Sequence, residues 1–165
     1  MEKLINYQIE NEIEEISNIS GGNQIFEIIY STEKGEYYKI FFDSVWDFKY
    51  TIEYGTLQRF AEYRKNNEET KFGSSIYLVE SSDYAKYFEK QSLDILPVDE
   101  LKHYILTDNV DTIIDVLANK EPKITKYVDK EKVELEELRE YKQKIEEEQA
   151  RAKERAKLES ESFGF

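Results

Sequence analysis

The sequence predicts an α+β fold, in which an antiparallel sheet packs against two or three helices and is followed by a long charged C-terminal helix. Up to residue 126, short runs rich in Ile, Val, Tyr and Phe alternate with turn residues, which is typical of antiparallel strands. From Asp129 to Glu161 there is no Gly or Pro, and the dominant residues favour helix. We therefore expect a domain over 1–126 and a helix over 127–165.

The segment Leu4–Ile19 combines two patterns. Its apolar residues first alternate, as in a strand, and are then spaced by three or four, as on a helix face. We expect a short extended start and then a helix that ends before Gly21-Gly22, because glycine readily adopts the left-handed conformation that closes a helix.

A hairpin is predicted next, with strands over Gln24–Ser31 and Glu36–Phe42, because both segments are dense in Ile, Tyr and Phe. Gly35 lies late in the short connecting loop, as hairpin turns require. A turn at Asp43-Ser44 and a third strand over Trp46–Tyr54 follow, since the last apolar residues alternate. A helix capped by Asp43 or Ser44 is the alternative.

The rest of the domain is predicted to mix helices and strands. The pattern predicts a helix over Thr56–Asn66 and a strand over Ser75–Glu80. Ser81 and Ser82 then precede Asp83 as capping residues, and a helix is predicted from Asp83 to about Gln91 with Tyr84, Tyr87 and Phe88 on its apolar face. Strands are predicted over Leu101–Asp108 and Thr112–Ala118. The last strand could be a helix if Asp111 caps it. Pro122 is expected to end this strand pair.

The 33 residues from Asp129 to Glu161 would span about 50 Å as a continuous helix. Its first half carries an apolar stripe that could dock on the domain, on a partner or on a second copy of the chain: Leu135, Leu138, Tyr141 and Ile145. The second half has almost no apolar seam, so a coiled coil over several heptads is not expected.

The two parts differ in charge. The whole chain carries −13, and residues 129–165 carry 9 Lys/Arg and 12 Asp/Glu, which leaves −10 on residues 1–128. Such a surface repels nucleic-acid phosphates and anionic membranes and attracts basic proteins. We therefore expect a basic protein partner and no direct binding to nucleic acid or membranes.

The residue types argue against several kinds of catalysis. The chain has no cysteine, which excludes disulfides, thiolate nucleophiles and zinc–thiolate sites and suits the cytoplasm. The lone histidine, His103, would need a nucleophile and an orienting group nearby, and the sequence identifies neither. We expect a structural or partly exposed imidazole, no enzymatic activity, and no catalytic, cofactor-binding or metal-binding residues. Asp115 interrupts an apolar strand, so it should face solvent or a polar partner.

The predicted partner-binding surface combines acidic and aromatic side chains, because Tyr and Trp inside a polar rim are typical of protein interfaces. Its candidate residues are Asp43, Trp46, Asp47, Tyr50, Tyr54, Asp108 and Asp111. For the acids of the DNVD segment, a role in forming the turn is the competing interpretation.

Three segments suggest a family. Leu101–Ile124 contains LKHY, a short acidic turn, IIDVLA and EPKI, and upstream lie FFDSVWDFKYTIEY and SSIYLVESSDY. Over roughly Tyr38 to Ile124 this resembles small Firmicutes immunity-type proteins of toxin–immunity and phage-conflict loci. The resemblance implies a small cytoplasmic binder that neutralises its partner by covering a surface, without catalytic residues. The C-terminal helix departs from that family.

The sequence thus predicts an acidic protein-binding module, of immunity or inhibitor type, that occludes a basic surface of a toxin, nuclease or defence protein. One alternative is a phage counter-defence protein whose carboxylates mimic the charge of DNA. Another is a scaffold or assembly component that works through the C-terminal helix.

Overall fold

The computed structural model describes residues 2–7, 12–67, 69–73, 75–95 and 97–162. The chain divides into two compact units, Met1–Tyr127 and Val128–Phe165. None of the helices in these described ranges combines the length and the apolar character that crossing a membrane requires.

The first unit contains strands and two helices, and the second contains one helix. In chain order the strands are β1 Lys3–Asn6, β2 Glu15–Gly22, β3 Ile25–Ser31, β4 Tyr37–Phe42, β5 Val45–Ile52, β6 Ile76–Glu80, β7 Lys102–Thr107, β8 Thr112–Ala118 and β9 Lys123–Lys126. The helices are α1 Leu57–Asn66, α2 Asp83–Gln91 and α3 Lys130–Ser162. The predicted α+β class is confirmed.

The strands form two antiparallel sheets. Sheet A has the order β1-β6-β7-β8-β5, and sheet B has the order β2-β3-β4-β9. The main core lies between them and includes fully buried Ile28 and Ile40 from sheet B and Tyr104 and Ile114 from sheet A. In the central strands alternate residues face this core, for example Ile28 and Tyr30 of β3 and Ile114 and Val116 of β8, as the two-residue period of a strand requires.

The other face of sheet A is covered by α1 and α2. Tyr63 of α1 packs with Tyr77 and Ile105 of the sheet, and Ala85 of α2 packs with Leu117. Sheet A is therefore buried on both faces along its centre. This explains why every residue of β8, TIIDVLA, is buried and why the segment is almost continuously apolar.

Most elements lie where the sequence predicts them. The β3–β4 hairpin turns at Gly35, whose φ of 73° is a left-handed value that favours glycine. Ser82 caps α2 by accepting a hydrogen bond from the backbone N–H of Ala85. Strand β5, helix α1, the β7–β8 hairpin and α3 also match their predicted positions within a few residues.

The helix expected within Leu4–Ile19 is wrong for the residues that the structure describes, because β2 occupies its second half; residues 8–11 lie outside the description. A bulge follows Ile16, so Ile16 and Ile19 are three residues apart while their partners on β3, Tyr30 and Ile28, are two apart. The spacing that predicted the helix was that of Ile9, Ile13 and Ile16, but only Ile16 lies in β2; Ile13 precedes the strand and is fully buried in the main core.

Pro122 follows the β7–β8 pair, as predicted, but the domain continues after it with a strand that was not predicted. Strand β9 follows it directly and pairs with β4, placing Ile124 opposite Ile40. The strand has four residues and one apolar side chain, which is too little for an alternating pattern.

The predicted apolar face of α2 also needs correction, because Tyr87 is 58% exposed.

Helix α3 is a single 33-residue helix, as predicted. Leu135, Leu138 and Tyr141 of its apolar stripe are exposed, and Ile145 is half-buried. The helix therefore carries solvent-accessible apolar residues on its first half.

Candidate protein-interaction site

Strand β5 forms one edge of sheet A. It pairs with β8 on one side, and no strand of the described chain pairs with its other side. Near its start the free side is occupied, because Val45 N–H donates to the carbonyl of Gln24 and Phe48 N–H donates to the Asp47 carboxylate, both at 2.9 Å. The second half of β5 is thus the part that can offer backbone groups to another chain.

Three large side chains on one face of β5 are exposed. Phe48, Tyr50 and Ile52 alternate along the strand and are 48%, 57% and 46% exposed. They continue the face of β8 that packs on sheet B, where the opposing Val116 and Ile114 are fully buried. We call these three residues the β5 stripe. An apolar patch at an uncovered rim of a core is typical of an interaction site.

An open groove of about 180 Å³ lies beside the start of β5. The Phe26 ring stacks on Phe48 with 4.5 Å between ring centroids, and Trp46 occupies a bulge in the strand. The groove is lined by Gly22, Gln24, Ile25, Phe26, Val45, Trp46, Asp47 and Phe48. Exposed apolar surface therefore extends from the β5 stripe towards the β2–β3 turn.

Four of the predicted partner-binding residues lie on β5 or directly after it. Trp46, Asp47 and Tyr50 lie on the strand, and Tyr54, 79% exposed, lies in the 3₁₀ turn after it. Asp47 also has a structural contact, because it accepts a hydrogen bond from the hydroxyl of Tyr84 at 2.8 Å. Burial and this hydrogen bond to a carboxylate raise the pKa of Tyr84.

The other three predicted acids have different surroundings. Asp43 lies 3.5 Å from the ammonium of Lys120. The backbone carbonyl of Asp111 accepts the N–H of Glu53, so Asp111 adjoins the end of β5. The Asp108 carboxylate accepts backbone N–H groups from Val110, Asp111, Thr112 and Ile16. Asp108 therefore fixes the β7–β8 turn and ties it to β2.

A second group of polar residues lies buried between sheet A and the helices. His103 Nδ1 is 2.8 Å from Ser82 Oγ, and His103 Nε2 is 2.8 Å from Asp115 Oδ1. The guanidinium of Arg59 contacts both oxygens of Asp115, at 3.0 and 3.1 Å. Burial opposes the charge of Asp115, but the hydrogen bond from His103 and the charge of Arg59 outweigh it and hold the pKa of Asp115 below its ordinary value.

Ser82, His103 and Asp115 are the residue types of a hydrolytic triad and contact one another in that order. Their surroundings, however, favour a role in packing. All three are at most 5% exposed. Ser82 Oγ already accepts the Ala85 N–H, and the Tyr84 ring lies edge-on to the imidazole at 5.2 Å. A neutral imidazole that donates to Asp115 and accepts from the Ser82 hydroxyl satisfies both contacts.

Part of the β5 stripe and part of the buried polar network were not predicted from the sequence. Phe48 and Ile52 share the alternation of Tyr50, so the same pattern contained them. For the buried network, the one available signal was Asp115 within an apolar run. The register of β7 on β8, which puts Asp115 opposite Ile105 and diagonal to His103, was needed to find its partner.

No protein-family model, curated protein or solved structure matches this chain. In the described part of the chain, no three His, Asp or Glu side chains come together in a way that could hold a metal ion. Its candidate interaction surfaces therefore rest on geometry alone.

Proposed function

We propose that the chain is an acidic protein-binding module of immunity or inhibitor type, which occludes a basic surface of a toxin, nuclease or defence protein in the cytoplasm. The observation that supports this is strand β5, whose free edge lies beside the exposed β5 stripe in a domain with a charge of −10 on residues 1–128. The proposal includes no enzymatic activity.

Binding would use the two kinds of group that β5 offers. An extended segment of the partner pairs with the free backbone groups near Tyr50–Ile52, as in strand addition to a sheet edge. The β5 stripe supplies the apolar contact, and aromatic residues in such positions carry much of an interface's binding energy.

The acidic surface adds specificity and speed. Complementary charge accelerates the encounter of two proteins and disfavours partners of the same sign. Asp43 and Asp111 lie near the two ends of β5, where they can face basic residues that flank the docked segment. Association should therefore slow as ionic strength rises.

A second candidate function uses α3. Its exposed residues Leu135, Leu138 and Tyr141 support a scaffold or assembly component that binds a partner or a second copy through this helix. A chain that ends at Tyr127 separates the two candidates, because a domain-centred inhibitor keeps its affinity whereas a scaffold loses its partner or its oligomeric state.

The test begins with capture of stoichiometric partners from the native host and measurement of their affinity for the full chain. Tyr50→Ser combined with Ile52→Ser should weaken binding by about 30-fold or more, as expected for loss of two central contacts. Tyr87→Ser, which removes an equally exposed tyrosine from α2, is the matched control and should change affinity less than about twofold.

Two results would contradict the proposal. One is a partner that binds the Tyr50→Ser/Ile52→Ser variant as tightly as the unaltered chain. The other is a partner whose association rate does not depend on salt, because charge steering would then be absent.

A further inference from the structure

A cavity of about 310 Å³ lies at the end of sheet A, between α1 and the β7–β8 turn. Its volume is at the lower end of the roughly 300–1,000 Å³ that small-molecule sites occupy. The lining residues are Glu53, Thr56, Leu57, Phe60, Arg64, Phe72, Gly73, Tyr77, Thr107, Asp108, Asn109, Val110, Asp111, Thr112 and Ile113. The cavity shares no residue with the β5 stripe, but its Asp111 also belongs to the predicted partner-binding residues.

The middle of the cavity is apolar. Leu57 and Phe60 lie one turn apart on α1, and Phe72 and Ile113 complete this wall. Aliphatic and aromatic side chains of this kind suit a short hydrocarbon chain, because its transfer out of water is favourable.

One end of the cavity is acidic. The hydrogen bond from Glu53 N–H to the Asp111 carbonyl, 2.8 Å, holds these two residues together. Neither carboxylate forms an ion pair with any residue in the described ranges. Asp108 does not add to this end, because its carboxylate is occupied by backbone N–H groups.

The other end of the cavity is basic. Arg64 lies seven residues after Leu57 on α1, which is about 10 Å along the helix axis. Its guanidinium carbon is 5.9 Å from the centroid of the Phe72 ring, and it forms no ion pair with a described residue. The cavity thus has opposite charges at its two ends and an apolar wall between them.

We propose that this cavity binds a small carboxylic acid that carries a cationic group at the far end of a short hydrocarbon chain. The ammonium or guanidinium of the ligand lies against Glu53 and Asp111, its methylene groups lie against Leu57 and Phe60, and its carboxylate pairs with Arg64. Free ω-amino acids and basic amino acids belong to this chemical class. A ligand with a single charge would leave one end of the cavity unpaired.

The first experiment compares three ligands on the unaltered full-length chain. 6-Aminohexanoate, hexylamine and hexanoate are titrated into the ¹⁵N-labelled protein, and backbone amide shifts are followed. We expect 6-aminohexanoate to shift amides within residues 53–57 and 107–113. Each single-charge analogue should bind about tenfold more weakly, since it loses one charge-assisted contact. Equal affinity for either analogue, or no shift in these segments, overturns the proposal.

The second experiment changes the cavity. Glu53→Gln combined with Asp111→Asn, and separately Arg64→Gln, should each weaken 6-aminohexanoate binding by about tenfold. Glu62→Gln, on the same helix but outside the cavity, is the control and should leave the affinity unchanged. Unchanged affinity in Arg64→Gln overturns the carboxylate contact. If a cavity variant does not fold, the ligand comparison on the unaltered chain still decides.

Discussion

His103 Nε2 lies 2.8 Å from Asp115 Oδ1 at the centre of sheet A, where each residue is only 1% exposed. The two residues are diagonal neighbours on adjacent strands, because Asp115 pairs with Ile105, two residues from His103. Arg59 of α1 and Ser82 at the start of α2 complete the group. Four side chains from four elements thus fix both helices on one face of the sheet.

Replacing Asp115 by alanine should lower the free energy of unfolding by roughly 3–5 kcal/mol, because Arg59 and His103 would lose their buried carboxylate partner. Urea unfolding followed by circular dichroism measures this loss. Asp99→Ala, at an exposed carboxylate, is the control and should cost less than about 0.5 kcal/mol. A loss below about 1 kcal/mol for Asp115→Ala would show that the network contributes little.

The lowered pKa of Asp115 predicts how the stability of the fold depends on pH. The pKa of Asp115 is lower in the folded chain than in the unfolded chain, where it is about 3.9. Its contribution is therefore present above about pH 4 and is lost as the pH falls through the folded-state pKa. Between roughly pH 5 and pH 2, the free energy of unfolding of Asp115→Ala should therefore fall less than that of the unaltered chain, as urea unfolding at each pH would measure.

Replacing Ser82 by alanine should cost about 1–3 kcal/mol, because α2 loses its cap and His103 Nδ1 loses a buried partner. A double-mutant cycle with His103→Ala should give a coupling free energy above about 0.5 kcal/mol. A serine-directed fluorophosphonate reagent should not label Ser82 in the folded chain, since its hydroxyl is buried. Labelling that disappears in Ser82→Ala would instead indicate a reactive serine.

Asp108→Asn should lower the free energy of unfolding by about 1–3 kcal/mol. The asparagine keeps one oxygen for the amides of the β7–β8 turn, but its NH₂ group cannot accept the N–H of Ile16. Hydrogen exchange at the Ile16 amide should therefore accelerate more than exchange at Val110. Asp111→Asn, whose carboxylate has no such backbone contacts, is the control; equal effects of both changes would contradict this role of Asp108.

Gly21→Ala and Gly22→Ala form a matched pair on β2. A Cβ at Gly21 would lie 2.7 Å from the Phe26 ring and 2.9 Å from the Ile25 carbonyl oxygen, whereas a Cβ at Gly22 has no neighbour within 4 Å. Gly21→Ala should cost about 1–3 kcal/mol through this overlap. Gly22→Ala should be neutral or slightly stabilising. Similar thermal midpoints for the two variants would contradict the observed packing of β2 on β3.

Alkaline pH should destabilise the fold. Burial raises the pKa of Tyr63, Tyr84 and Tyr104, so the neutral phenols are favoured in the folded chain. Their contribution is full below about pH 10 and is lost as the pH rises above the unfolded-state pKa. Tyr84→Phe should weaken this dependence, whereas Tyr54→Phe, at an exposed site, should not. The measurement is tyrosinate absorbance alongside circular dichroism as the pH is raised. Ionisation of all 13 tyrosines near pH 10 without unfolding would contradict the predicted alkaline destabilisation.

Local signals predicted the elements whose chemistry is local. Gly35 identified the β3–β4 turn, and Ser82 before Asp83 identified the start of α2. β2 was predicted as a helix because Ile9, Ile13 and Ile16 have helical spacing, although only Ile16 lies in the strand, and β9 was missed because Ile124 alone forms no pattern. Sequence patterns define elements that have their own periodicity, whereas these two strands are defined by pairing.

The candidate surfaces likewise depend partly on local pattern and partly on how the strands and helices pack. Alternation placed Tyr50 on a face of β5, but its exposure depends on where sheet B stops covering sheet A, which no local pattern encodes. The charged ends of the cavity come from Glu53, Arg64 and Asp111, which lie in three separate segments. Such sites exist only after the sheets and helices have assembled.

The pairing order of the strands has a consequence for synthesis of the chain. Among the residues that the structure describes, strand β5 pairs only with β8, and β4 gains its second neighbour only when β9 has been made. A chain emerging from the ribosome therefore holds β5 without any partner while the next sixty or so residues are added. Non-local pairing of this kind slows folding and leaves strand edges open to self-association. The strand that we propose for recognition is thus also one that a nascent chain leaves unpaired during much of its synthesis.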